Sequence, residues 1–104
     1  MRALTRPALI VLALAFADSP ALAATITVTI DQLVFSPASV EAKVGDTIEW
    51  VNKAVIAHPA TVKSGWEGMI PPKKSASLTL KAAGAVDYFC RFHPNMKGHV
   101  NVAP

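Results

Sequence analysis

Strict alternation of apolar and polar residues limits this chain more than any other feature. Residues 24–30 read Ala-Thr-Ile-Thr-Val-Thr-Ile, which puts Ile26, Val28 and Ile30 on one face and the threonines on the other. Residues 47–52 repeat the pattern, with Ile48 and Trp50 on one face and Glu49 and Val51 on the other, so Trp50 reads as a core anchor. Further strands are expected at 39–43, 75–80, with Leu78 and Leu80 inward, at 85–89, and at 98–102. A short extended piece is expected at 33–35, stopped by Ser36-Pro37, and a brief strand at 60–63. The pair Gly45-Asp46 marks a turn in which the glycine takes a positive φ. Residues 53–74 are the least regular, and Gly65, Gly68 and Pro71-Pro72 argue there against a helix. Short strands separated by turn residues, with no helical period, imply an all-β, two-sheet Greek-key sandwich.

Near the end of this pattern lies Tyr88-Phe89-Cys90-Arg91-Phe92-His93-Pro94-Asn95-Met96-Lys97-Gly98-His99, which holds the only cysteine. Cys90, His93 and Met96 follow one another at intervals of three, so thiolate, imidazole and thioether can converge from one turn. Pro94 disfavours a helical conformation at His93 and fixes its own φ, which predicts a rigid loop. A soft thiolate and thioether beside an imidazole favour copper over zinc, because structural zinc sites usually recruit several cysteines and seldom methionine. A second imidazole is needed. His99 lies beyond Gly98 in the closing strand, away from the focus of the loop, so His58 is the better candidate. His58, Cys90, His93 and Met96 make the ligand set of a blue-copper electron-transfer site.

Three features together resemble the small cupredoxins: Gly45-Asp46-Thr47-Ile48-Glu49-Trp50-Val51-Asn52, His58 six residues after that asparagine, and the Cys90, His93, Met96 spacing followed by Lys97-Gly98. The resemblance is greatest to the amicyanin group, with plastocyanins and pseudoazurins further off. It implies a Greek-key β-sandwich of the cupredoxin type over residues 24–104, one type 1 copper ion cycling between Cu(I) and Cu(II), and a periplasmic electron carrier that is not an enzyme. It further implies that Asn52 ties the two ligand-bearing segments together, and that His93 is the surface port for electrons, ringed by apolar residues such as Phe92, Pro94, Met69 and Ile56. The partners it implies are an amine dehydrogenase or other donor and a c-type cytochrome or oxidase as acceptor. Two departures bear on the sulfur. The residue after the first histidine, which in most relatives donates its N–H to the thiolate, is here Pro59 and has none. The second residue after the cysteine, a proline in amicyanins, is here Phe92, whose N–H is expected to supply a thiolate hydrogen bond instead.

The first 23 residues carry Arg2 and Arg6, an apolar run from Ala8 to Ala17, and the ending Ala21-Leu22-Ala23, the three parts of a secretory signal with cleavage expected after Ala23. The run is too short to span a bilayer, so no stable membrane insertion is expected. The remaining 81 residues suffice for one domain with a modest core, expected as a monomer, and carry eight basic and six acidic residues, a net charge of +2. That mild and scattered charge excludes a nucleic-acid footprint. Export leads to an oxidising compartment, where a lone cysteine has no partner unless a metal binds it. The alternative function is periplasmic copper storage, delivery or resistance. With three methionines, one of them the initiator, the chain lacks the Met/His-rich cluster that such an open site uses.

Overall fold

The computed structural model describes residues 22–63 and 65–104. Apart from its last two residues, the expected signal segment lies outside the described residues. Nine strands follow in order: β1 (Thr25–Asp31), β2 (Val34–Ser36), β3 (Ser39–Lys43), β4 (Thr47–Asn52), β5 (His58–Val62), β6 (Glu67–Ile70), β7 (Ser75–Thr79), β8 (Gly84–Cys90) and β9 (His93–Ala103). They form a four-stranded sheet in the order β2-β1-β4-β7 and a five-stranded sheet in the order β3-β9-β8-β5-β6. No helix is found among the described residues, as the alternation requires.

Alternation becomes packing directly. Val28, Ile30, Ile48 and Trp50 from the first sheet face Tyr88, Cys90, Val100 and Val102 from the second, and all are buried. At roughly 2 kcal/mol for each large apolar side chain removed from water, this shared layer is the main force holding the sheets together. Its centre is aromatic. Tyr88 meets Phe35 edge-on at 4.8 Å and Trp50 edge-on at 5.1 Å, and Trp66 stacks on Trp50 at 5.2 Å.

Chain direction is set by two parallel pairings. β1 runs beside β4, with Val28 opposite Trp50, and β3 runs beside β9, with Val40 opposite Val100. β1 turns into β2 through Gln32 and Leu33, at φ 52° and 63°, a two-residue hairpin whose left-handed backbone matches the strand twist. Gly45 takes φ 100° in the turn between β3 and β4, as its sequence context requires.

Three expectations are revised. Residues 67–70 form β6, for which no strand was expected; Gly68 lies beneath the Trp66 indole and pairs with Ala60, so cross-strand pairing, not alternation, makes it a strand. β5 starts at His58 and not at Ala60, so the candidate ligand stands on a strand and not in a loop. β9 starts at His93, and the expected rigid loop is a bulge within it. The apolar residues of 53–74 divide by depth: Ile70 is fully buried and Trp66 partly so, whereas Val55, Ile56 and Met69 are exposed.

Candidate metal centre

The site stands at one end of the five-stranded sheet, on its neighbouring strands β5, β8 and β9. β8 and β9 pair regularly from Gly84–Val102 to Phe89–Lys97, and then Cys90 pairs with His93. Pro94, Asn95 and Met96 therefore bulge out of β9 with no counterpart in β8. Arg91 and Phe92 form the two-residue turn that closes this pair. The bulge has a fixed register pair on each side, which holds a cysteine, a histidine and a methionine at one strand end.

The Cys90 Sγ lies 3.7 Å from His58 Nδ1 and 4.0 Å from His93 Nδ1. The ligand atoms of all three lie within 4.8 Å of one another, and the two rings are 5.4 Å apart between centroids. Cys90 and His58 are buried, His93 is only partly so, and Met96 is 2% exposed. Burial, and then the neighbouring His93, lower the His58 imidazole below its ordinary range, so its ring is neutral at neutral pH and offers a lone pair. His99, set aside as a ligand, points elsewhere: its Nδ1 meets Asp87 Oδ1 at 2.7 Å on the exposed sheet face.

The residues expected around the ligands fall as follows. Asn52 is fully buried. Its amide donates to the carbonyls of Ile56 at 2.8 Å, Ile70 at 3.0 Å and Pro71 at 3.3 Å, and its Oδ1 accepts from Ala54 N at 2.9 Å. It thus ties the loop leading into His58 to the end of β6, and not, among the described contacts, to the Cys90 segment as the resemblance implied. Pro59 is buried and has no N–H to offer. Phe92 N–H, the expected replacement, is not among the polar partners of Sγ, which among the described residues are the two imidazoles. Phe92 occupies the second position of the exposed turn and is 49% exposed. Phe92, His93, Pro94, Asn95 and Met96 line a shallow surface depression together with Leu33. Met69 is exposed opposite Pro59, outside that depression.

The sequence reading missed Glu67. Its carboxylate takes Arg91 Nε at 2.9 Å and a second guanidinium nitrogen at 3.0 Å, and accepts from Thr61 Oγ1 at 2.8 Å. This fork anchors the turn between Cys90 and His93 to β5 and β6. Arg91 first, and then Thr61, hold the Glu67 carboxyl at about 2. The partners are 24 positions apart, and no local pattern announces them.

One cysteine sulfur and two imidazoles within 4.8 Å of one another, with the thioether of Met96 buried in the bulge of β9, are a donor set that fits a soft, redox-active ion such as copper. The chain belongs to the Cupredoxin-like domain family, which matches residues 6–102. Within that family it is amicyanin-like. It is 36% identical over 95 residues to amicyanin of Paracoccus versutus, covering 85% of this chain and 70% of that one. It is 35% identical over 89 residues to the methylamine utilization protein MauL of Methylorubrum extorquens, covering 81% and 78%. A solved methionine-to-alanine mutant of amicyanin, in its Cu(I) form, superposes with a TM-score of 0.70 at 30% identity, covering 83% of this chain and 87% of that one.

Proposed function

We propose that residues 1–23 direct export to the periplasm and that residues 24–104 form a one-electron carrier holding one copper ion through His58, Cys90, His93 and Met96. The observation that carries this reading is the convergence of two imidazole nitrogens on one buried sulfur, at 3.7 Å and 4.0 Å. Bound copper would supply the exchange of a single electron between Cu(II) and Cu(I). Cys90 contributes the strongest donor as a thiolate, His58 and His93 contribute neutral imidazoles, and Met96 contributes a weak thioether. Three neighbouring strands fix the donors, which limits their movement as the charge at the centre changes. His93 is the most exposed of the four, so electrons enter and leave through its ring. Phe92, Pro94 and Leu33 beside it keep water out of a docked interface, and redox encounters of this kind bury little area.

Likeness to amicyanin and to a methylamine utilization protein supports an amine dehydrogenase as donor. A c-type cytochrome is the matching acceptor. The test is a spectrum. Adding Cu(II) to the purified domain yields an intense blue thiolate band at one equivalent, and ascorbate bleaches it reversibly. Cys90→Ser loses both the band and the redox cycle; a blue, redox-active Cys90→Ser protein would refute the assignment.

A further inference from the structure

Asp46 lies in the turn between β3 and β4, at the opposite end of β4 from Asn52. It is 4% exposed, one of the few buried charged side chains among the described residues. Its two oxygens accept from backbone nitrogens: Oδ1 from Ala24 and Oδ2 from Lys43, both at 2.9 Å. These bonds, that of Ala24 first, hold its carboxyl below the ordinary value, so it is a carboxylate at neutral pH. Ala24 is gripped on its other side as well, because its carbonyl accepts from Thr47 N at 2.9 Å. The residues just before it are not held in this way. Leu22 and Ala23 are exposed and outside any strand, so the peptide bond between Ala23 and Ala24 is open to a peptidase.

We propose that Asp46 is a receptor for the new N-terminus: cutting after Ala23 turns the Ala24 amide into an α-ammonium group seated on the Asp46 carboxylate. This rests on the export reading of residues 1–23. In the cut, water adds across the Ala23–Ala24 amide. Its oxygen goes to the Ala23 carbonyl carbon, which leaves as a carboxylate, and Ala24 nitrogen takes up the protons to become –NH3+. A hydrogen bond from a neutral amide thereby becomes an ion pair, clamping the start of β1 to the turn before β4. The geometry reads the position of the cut to one residue. Successive Cα atoms are about 3.8 Å apart, so a terminus at Ala23 or Thr25 would put its charge away from the carboxylate. Lys43 is the other cation acting on Asp46 and is present before and after the cut.

The test compares three forms of the domain, one beginning at a free Ala24, the same form N-acetylated, and one retaining Ala23, each with Asp46 and with Asp46→Asn. Acetylated Ala24 keeps its N–H and lacks only the charge. Charge-assisted bonds are about twice as strong as neutral ones, so urea unfolding is expected to give the free-amine form an unfolding constant about five-fold smaller than the other two. That gap should close in Asp46→Asn. Equal stability of the free and acetylated forms, or a gap that persists without the carboxylate, overturns the proposal. Should Asp46→Asn not fold, NMR titration of the Ala24 amine decides: a pKa above the ordinary range of about 7.7–8.0 supports the pair, and a value within it does not. The mass of the protein exported from the full-length chain tests the cut separately. A chain that is not exported, or is exported with another start, refutes the reading of residues 1–23 as a leader cut after Ala23, while the purified forms still decide whether Asp46 receives the ammonium.

Discussion

Two side chains near the metal centre carry more than their sequence positions reveal, and each does so by satisfying groups that would otherwise be left bare. The Asn52 amide serves three carbonyls and its oxygen serves Ala54 N. Asn52→Ala leaves Ile70 O buried without that donor and frees the loop entering His58. Urea denaturation is expected to give a loss of about 2–3 kcal/mol, the usual cost of stranding buried polar groups. Copper affinity should fall with it. Glu67 acts through charge on an exposed fork, and its effect depends on pH. Its folded pKa of about 2 is depressed from an ordinary 4.5, so the stabilisation is complete above 4.5 and fades as pH falls toward 2. Glu67→Gln should therefore be less stable than the unaltered protein at neutral pH and converge with it in acid, as read from unfolding midpoints across that window. A constant difference at every pH would mean that the fork contributes through packing and not through ionisation.

At the level of strands, the pairing of β8 with β9 fixes the site, and it depends on a close approach. Gly98 lies opposite Tyr88, and a Cβ there would run into the Tyr88 ring and hydroxyl. Gly98→Ala has to displace a buried aromatic that also holds Phe35 and Trp50. Calorimetry should show about 1–3 kcal/mol of destabilisation, the usual cost of overpacking, and the blue band should shift or weaken because the Cys90–His93 pair lies on the same ladder. Strands that bury one face were legible from sequence because burial itself imposes the period. β3 and β4 have the limits that alternation gave them. β6 was not legible: Glu-Gly-Met-Ile has no such period and becomes a strand by pairing with β5 and by receiving Trp66 over its glycine. The candidate donors stand out by chemical type, since cysteine, histidine and methionine are scarce in this chain. Glu67 and Asp46 do not, because Arg91 and Ala24, which they bind, lie 24 and 22 positions away.

On the scale of the molecule, the candidate donors hang on a frame most of whose buried contacts are made by other residues. Val28, Ile30, Ile48, Trp50, Val100 and Val102 join both sheets in one buried cluster, which takes in Cys90 and Met96 but consists mostly of residues that are not candidate ligands. The metal-free domain is thus expected to unfold cooperatively after chelator treatment, with Cu(II) raising the midpoint by mass action, about 2.7 kcal/mol at a hundred-fold excess over Kd. A chain that loses its near-ultraviolet dichroism on chelation would contradict this. The strand order carries one more consequence, for the time of synthesis. All four strands of the first sheet precede residue 80, whereas β9, made after the other eight, sits inside the second sheet between β3 and β8. Until it arrives, β3 has no neighbour in its own sheet and β8 shows a bare edge, so a chain threading outward in order cannot lock half-made. The eleven residues of β9 bring the missing wall and two of the four candidate donors in the same stroke.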